Sequence, residues 1–537
     1  MGQRQESLVV GEPIENIQDL VEQYDVESRY RRLSGWQGRI VSFLLIGMSC
    51  FHMYTAGVGL LPTSIHRAVH LTFAIMAVFL LYPPHMNSSK NSTPWYDWVL
   101  AVLAGIGVGY IALFFNEIAG RGARVQPYEM WLGIMTIILV LEAGRRVVGK
   151  VLPSLGILFL LYCYFGRYMP EMFMHRGYSI NRIIQHMYLT QEGIFGVALG
   201  VSSTFVFMFI LFGAFLGKSG GARFFNELAL AVAGHSPGGP AKVAIVASGM
   251  LGTINGSSVA NVATTGAFTI PLMKRVGYKP EFAGAVEACA STGGQFMPPI
   301  MGAGAFIMSE FLGISYLRIA AAAIIPAILY YFALFIAVHL RARDKKLEGL
   351  PRDELPRVKE VMLKDGHLLI PLIVIITLLL RKYTPLSAAF WGILSVLAVS
   401  QLKSHTRMGI RAILEAMEEG ARSALGVALA CALVGFVVGT SSLTALGLTI
   451  SNNIIDIAGG RLLPTLVMSM IACLVLGMGL PTTANYIVTS TMIAPALIKM
   501  HVLPLAAHLF VFYFGIMADL TPPVCLAAFT GAGIAGG

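Results

Sequence analysis

The sequence is poor in charge. Only 12% of its 537 residues are Asp, Glu, Lys or Arg, whereas a soluble domain carries about 25%. A large soluble helical protein needs more charged surface than this, so the composition excludes that class. Hydrophobic residues make up 56% of the chain, and stretches long enough to cross a bilayer recur along it, for example 41–61, 97–116 and 194–216. We therefore expect an all-α polytopic membrane protein.

Motifs for metals and redox cofactors are also missing. The six cysteines lie far apart in apolar stretches without a CxxC. The twelve histidines include no HExxH and no evident pair on facing spans. The pattern predicts no disulfide framework, no haem or transition-metal cofactor and no enzyme. Because no basic run is interleaved with aromatic residues, the net charge of +10 indicates contact with anionic lipid in the bilayer, not with nucleic acid.

The first 38 residues are polar and mixed in charge, so we expect no cleaved signal peptide. Four arginines crowd the start of the first span: Arg29, Arg31, Arg32 and Arg39. This excess of positive charge predicts a cytoplasmic N-terminus. The stretch Leu20–Tyr30 is amphipathic and fits either a helix on the membrane surface or a solvated helix.

The chain contains a duplication. The segment from Ser257 to Phe306 falls on Pro481 to Thr530 without a gap when shifted by 224 positions (485 − 261 = 224 for the two asparagines). All four prolines of the first copy find a proline in the second, with Pro271, Pro280, Pro298 and Pro299 matching Pro495, Pro504, Pro522 and Pro523. Matching helix-interrupting segments in two halves of a membrane protein point to the central binding site of a transporter.

Four segments of the two copies are poor continuous helices and good breaks: Gly252–Ser258, Ser291–Pro299, Gly477–Thr483 and Ala518–Pro523. They supply carbonyl, hydroxyl and amide oxygens and one carboxylate, that of Asp519. Such hard oxygens suit a small cation such as Na⁺ better than a transition metal. The same small polar residues also serve close helix packing in membranes, and we favour an ion and substrate site because both copies carry them.

Glu287 lies in an apolar stretch, where an acidic residue is a functional candidate. Its counterpart in the second copy is Val511 (287 + 224 = 511), so it lies outside the symmetric site. The sequence leaves open whether it packs helices or carries a proton.

The chain divides into five blocks. We predict a cytoplasmic segment (1–38), scaffold helices (39–190), the first core repeat (191–340), a polar connector (341–366) and the second core repeat (367–537). In the first copy a strong span, Ile319–Leu340, follows the Pro-Pro break, and its counterpart would reach residue 564 (340 + 224 = 564). Either the halves differ or the second repeat is truncated, and we expect truncation.

Three runs of the duplicated segments resemble a known family. The runs NGSSVANVATTG, GLPTTANYIVTSTMIAPAL and ADLTPPVCLAAF are similar to the large membrane subunit of TRAP (tripartite ATP-independent periplasmic) transporters. The spans that precede them look like the small membrane subunit fused in front, as in the TAXI branch of the family.

The resemblance implies a fold and a function. The fold would be an elevator-type transporter with inverted repeats, re-entrant hairpins and broken helices, beside N-terminal scaffold helices. The protein would be a permease of the bacterial inner membrane that imports small organic acids by symport with sodium. A periplasmic substrate-binding protein of the TAXI type would deliver the substrate. Na⁺ would be the coupling ion, and no other cofactor is expected.

The resemblance also implies site residues. Substrate would be bound by Ser257, Ser258, Asn261, Thr482, Thr483 and Asn485. Sodium would be bound by Asn255, Gly256, Asn261, Gly294, Pro298, Gly479, Asn485, Asp519, Thr521 and Pro522. A stand-alone sodium–dicarboxylate symporter is the nearest alternative, and a channel or a structural membrane scaffold is an alternative of another class. The sequence does not discriminate between individual organic acids.

Overall fold

The computed structural model describes residues 26–85 and 88–537, without the side chains of residues 254 and 255. Every regular element in these residues is a helix, which confirms the predicted all-α polytopic class. Eight helical stretches in the same residues have the length and hydropathy to cross a membrane. Most of the amphipathic stretch Leu20–Tyr30 and of the predicted segment 1–38 lies outside the described residues.

Five helices form the N-terminal block: α1 (Gly35–Val58), α2 (Thr63–Leu81), α3 (Trp95–Gly120), α4 (Pro127–Val147) and α5 (Val151–Phe165). Helix α4 carries charged residues near both of its ends: Glu129, Glu142, Arg145 and Arg146. These charges are paired in the structure. Glu129 accepts hydrogen bonds from Tyr110 and Arg121, and Glu142 pairs with both arginines.

The first repeat follows a short irregular stretch. Its helices are α6 (Ile180–Ile184), α7 (Val197–Val201), α8 (Phe207–Lys218), α9 (Gly221–Ala233), α10 (Gly239–Asn255), α11 (Ser258–Arg275), α12 (Pro280–Gly294), α13 (Ala303–Leu312) and α14 (Tyr316–Asp344). Two π-helical segments, Gln185–Leu189 and Ser202–Val206, continue α6 and α7. Lys274 and Arg275 form the last turn of α11.

The predicted connector contains one short helix, α15 (Val358–Asp365). The helices of the second repeat are α16 (Ile370–Leu380), α17 (Pro385–Ser400), α18 (Ile410–Thr444), α19 (Leu446–Ile457), α20 (Leu462–Gly477), α21 (Thr482–Met492), α22 (Ala494–Lys499), α23 (Pro504–Met517) and α24 (Leu526–Ala535).

The duplication extends upstream of the matching sequence. Shifted by 224, α9 begins at 445 and α10 at 463, within one residue of the starts of α19 and α20. Helix α11 corresponds to α21 and α22 together, α12 to α23, and α13 to α24. The sequence match, which begins only at Ser257, therefore underestimates the length of the repeat.

Helix α18 lies at the centre of the molecule. It is 35 residues long and most of its length is buried. It packs against α1, α2, α4 and α5 of the N-terminal block and against α8 and α21 of the repeats. Ser49 of α1 donates to the carbonyl oxygen of Met417 at 2.8 Å, which joins the N-terminal block to α18. The two blocks therefore meet along this helix.

A buried ionic cluster holds one end of the N-terminal block together. Asp97 is fully buried at the start of α3 and accepts from Arg31 at 2.6 Å and from Arg146 at 2.7 Å. Arg31 also donates to the carbonyl oxygen of Leu80 at 3.0 Å. This cluster connects the segment before α1 to α2, α3 and α4.

Candidate functional site

The first break of each repeat is short. Helix α10 ends at Asn255, and Gly256 then turns the chain with a φ of +66° that favours glycine. Ser257 caps α11 by accepting from the amide of Ala260 at 3.3 Å. In the second copy α20 ends at Gly477, and Gly479 takes a φ of +68° before α21 begins at Thr482. The predicted break Gly252–Ser258 is too long, because residues 252–255 remain helical.

The second break of each repeat contains the Pro-Pro pair. The peptide bonds Pro298–Pro299 and Pro522–Pro523 are both cis. Three residues after the first proline of each pair, Met301 and Cys525 both have a positive φ. The predicted break Ser291–Pro299 begins too early, since α12 continues to Gly294. Gly294 is needed there, because a Cβ on it would lie 2.5 Å from the Cα of Gly252.

The breaks of the two repeats contact each other reciprocally. Ser258 donates to Asp519 Oδ2 at 2.8 Å, and Thr482 donates to Gln295 Oε1. The repeat shift converts one contact into the other (258 + 224 = 482; 295 + 224 = 519). Each repeat therefore contributes the start of one helix and the Pro-Pro break to a shared centre.

The two register-matched asparagines make the same kind of interaction. The Nδ2 of Asn261 donates to the carbonyl oxygen of Ser248 at 2.9 Å, and that of Asn485 donates to Gly515 at 2.6 Å. These bonds fix which amide atom is the nitrogen. Both Oδ1 atoms are buried and have no hydrogen-bond partner among the described residues. A buried acceptor without a donor is costly, and a cation would satisfy it.

A large cavity leads to this centre. It has a volume of about 1060 Å³, and its lining includes residues of both short breaks and Asp519. The lining also includes charged residues: Glu27, Lys150, Lys218, Glu415, Glu418, Glu419 and Arg422. Lys218 and Glu415 form an ion pair of 2.7 Å there.

The predicted site residues divide into three sets. Gly256, Ser257, Ser258, Gly479, Thr482, Thr483 and Asp519 line the cavity. Asn261, Asn485 and Gly294 lie behind it and are buried. Pro298, Thr521 and Pro522 belong to the Pro-Pro breaks, and the Thr521 hydroxyl donates to the carbonyl oxygen of Met517 at 3.0 Å. The side chain of Asn255 lies outside the described residues. In the described part of the chain, no group of three or more His, Cys, Asp or Glu side chains could hold a metal ion.

A buried cluster of three histidines, His52, His66 and His70, was not predicted. His52 of α1 and His70 of α2 face each other, with 2.9 Å between Nε2 and Nδ1, so the expectation of no histidine pair on facing spans is wrong. His70 also contacts the Ser202 hydroxyl at 3.2 Å, and His66 contacts the carbonyl oxygen of Ser203 at 2.9 Å. The spacing of His66 and His70, four residues apart on one helix, was the available signal.

Comparison with known proteins identifies relatives of this chain. Residues 135–536 match the family described as "Tripartite ATP-independent periplasmic transporter, DctM component". The chain is 33% identical over 147 residues to the C4-dicarboxylate TRAP transporter large permease protein DctM of Pseudomonas aeruginosa, covering 27% of this chain and 34% of the relative. It is 28% identical over 263 residues to the protein of the same name from Vibrio cholerae, covering 48% and 53%.

A third relative is the isethionate TRAP transporter permease protein DctMQ of Oleidesulfovibrio alaskensis. It is 24% identical over 340 residues, which cover 61% of this chain and 51% of the relative. The chain thus spans from about a third to about half the length of these three relatives. Because the family match covers most of the chain, including both breaks of each repeat, this protein belongs to the DctM component family of tripartite ATP-independent periplasmic transporters.

Proposed function

We propose that this chain is the membrane permease of a sodium-coupled, binding-protein-dependent importer of organic acids. The observation that carries the proposal is the shared centre of the two repeats. There, two equivalent asparagines each keep an unpartnered amide oxygen, and two equivalent hydroxyls join the breaks. A transporter that couples ion to substrate needs both kinds of group at one place.

We assign the two kinds of group to two ligands. Asn261 and Asn485, with freed carbonyls of the adjacent breaks, would bind sodium from behind the cavity wall. Ser257, Ser258, Thr482 and Thr483 line the cavity and would face the substrate. The N-terminal ends of α11 and α21 favour an anionic group, because the helix dipoles add positive potential there.

The cavity is the proposed substrate path. Its volume of about 1060 Å³ is ample for a small organic acid. It lies on the side of the molecule where Glu27 and Lys150 are found. With the N-terminus in the cytoplasm of a bacterial inner-membrane protein, as the arginine excess predicts, the cavity faces the cytoplasm in this conformation.

The N-terminal block would be the scaffold. The family match starts at residue 135, so α1, α2 and α3 precede it. We propose that the block corresponds to a small membrane subunit fused to the large one, and that the two repeats move against it as an elevator. A periplasmic binding protein of the TAXI type would be the partner, as the sequence resemblance implies.

Uptake into proteoliposomes tests the function. We expect accumulation of a radiolabelled C4-dicarboxylate or other organic acid only with an inward sodium gradient and a matching periplasmic binding protein. Accumulation with sodium alone would favour a stand-alone symporter. Non-saturable flux without sodium would favour a channel, and the absence of any flux from the protein with every binding protein tried would favour a scaffold.

A further inference from the structure

A second polar centre lies in the first repeat, apart from the cavity. Glu287 of α12 is fully buried, and its carboxyl oxygens contact four hydroxyl groups on three helices. These are the hydroxyls of Ser248 at 2.5 Å, Ser291 at 3.2 Å, Thr265 and Thr269. We call this group the Glu287 cage. Gly266 leaves room for it, because a Cβ there would lie 3.1 Å from Glu287 Cγ.

No cation balances this carboxyl in the described part of the chain. The basic residues on the helices packed against α12 are engaged elsewhere. On α10, Lys242 contacts Ser236 and His339 at 3.0 and 3.1 Å. On α11, Lys274 donates to the carbonyl oxygen of Ala535, and Arg275 pairs with Glu354.

The remaining neighbours of α12 hold their cations elsewhere. On α14, Arg341 pairs with Asp344 at 3.6 Å and lies over the Phe282 ring, and Arg318 and Arg343 are exposed. Helix α14 also presents two phenols, which donate to carbonyl oxygens of α12: Tyr330 to Cys289 and Tyr331 to Ala290. Helix α24 carries no ionisable side chain. A carboxylate buried without a cation costs several kcal/mol. A neutral acid avoids that cost.

The hydrogen bonds can be satisfied by a neutral acid. Thr265 and Thr269 each have one hydroxyl proton and two acceptors within reach, Glu287 and a backbone carbonyl oxygen. When Thr265 donates to the carbonyl oxygen of Asn261, at 2.7 Å, its own oxygen can accept the proton of a protonated Glu287. Thr269 then donates to the other carboxyl oxygen, so every contact holds one proton.

The second repeat lacks the cage although it keeps the shared fold. The positions equivalent to Ser248, Thr269, Glu287 and Ser291 are Ala472, Ile493, Val511 and Gly515. Only Thr265 has a polar counterpart, Thr489. Since α20, α21 and α23 pack without these groups, the repeat fold does not require them. The cage is an addition to one repeat.

The cage is linked to the shared centre through two residues, Ser248 and Thr265. The Ser248 hydroxyl contacts Glu287, and the Ser248 carbonyl oxygen accepts from the Asn261 amide at 2.9 Å. Thr265 makes a second link, because it contacts both Glu287 and the Asn261 carbonyl oxygen. Two hydrogen bonds therefore separate Glu287 from Asn261 along either route.

We propose that the Glu287 cage is a binding site for one proton, and that its occupancy sets the affinity of the Asn261 position for sodium. Binding converts the carboxylate to a carboxylic acid, whose O–H donates to a threonine oxygen of the cage. Loss of the proton leaves a negative charge that attracts a cation toward Asn261. The first half of the proposal is independent of the proposed transport function; the second half rests on it.

Infrared spectroscopy of the purified full chain tests the proton. At neutral pH the wild type should show a carboxylic-acid C=O band that is absent from Glu287→Gln. The absence of any acid band in the wild-type minus Glu287→Gln difference, with carboxylate bands in its place, overturns the proposal. Carboxylate bands that shift when sodium replaces choline would identify the cage as a sodium site and overturn it equally.

A matched pair of variants keeps the test valid if Glu287→Gln does not fold. Thr265→Val removes a hydroxyl of the cage, and Thr489→Val removes its counterpart, which bonds only to carbonyl oxygens of its own helix among the described residues. The acid band should move to higher frequency in Thr265→Val and stay unchanged in Thr489→Val. Equal bands in both variants contradict the assignment to Glu287.

Sodium-dependent melting curves test the link. The sodium concentration that gives half-maximal thermal stabilisation should fall as pH rises in the wild type and be independent of pH in Glu287→Gln. Equal pH dependence in both proteins overturns the link while leaving the proton site intact. If sodium does not stabilise the wild type at any pH, the sodium-coupled function fails, and the infrared result still decides the proton.

Discussion

Replacement of Asp519 by Asn should raise the sodium concentration for half-maximal uptake by more than about tenfold, which corresponds to about 1.4 kcal/mol of binding free energy. Asp519 is the one carboxylate in the four breaks, and it is buried where the two repeats meet. At about 4 Å, one unit charge attracts a cation by roughly 4 kcal/mol at an effective dielectric constant of about 20. Removal of the Asp519 charge should therefore cost more sodium-binding free energy than removal of a neutral ligand.

The control for this variant is Asp456→Asn, an exposed carboxylate of the same repeat. It should leave sodium dependence unchanged. If Asp519→Asn lowers the maximal rate at unchanged sodium dependence, then Asp519 acts through its contact with Ser258 and not on the ion.

The Asp97→Asn variant should lose about 3–5 kcal/mol of stability, because it removes the shared anion of a buried ionic cluster. Arg31 and Arg146 would then remain buried with a neutral partner. Thermal melting in detergent measures the effect, and uptake should fall only in proportion to the folded fraction.

Glu142→Gln provides the comparison, since Glu142 pairs with the same Arg146 but its side chain is 30% exposed. Exposed pairs contribute about 0–1 kcal/mol, so this variant should melt close to the wild type. Equal melting temperatures for both variants would show that burial of the cluster does not determine its contribution to stability.

Much of the architecture could be predicted from the sequence, because it depends on local properties. Apolar runs predicted the helices, and proline and glycine at matched positions predicted the breaks. The pairing of charges could not be predicted in the same way, because only the structure brings Arg146 of α4 to Asp97, 49 positions earlier in the chain.

The site could be predicted only in part. Asn261 and Asn485 were found by register alone, but their unpartnered oxygens depend on which carbonyls lie nearby in space. Nothing in the sequence indicates that Ser258 contacts Asp519, because that pairing joins residues 261 positions apart. Glu287 was recognised as unusual, whereas its four hydroxyl partners come from three helices.

Equilibrium binding of radioactive sodium to the purified protein tests the central claim most directly. The wild type should bind sodium saturably, and Asn261→Ala and Asn485→Ala should each weaken binding, by about tenfold for every 1.4 kcal/mol of ligand energy lost. Asn181→Ala, at an exposed position, should bind as the wild type does. Unchanged sodium binding in folded Asn261→Ala and Asn485→Ala would contradict the account and leave the two asparagines as helix-packing residues.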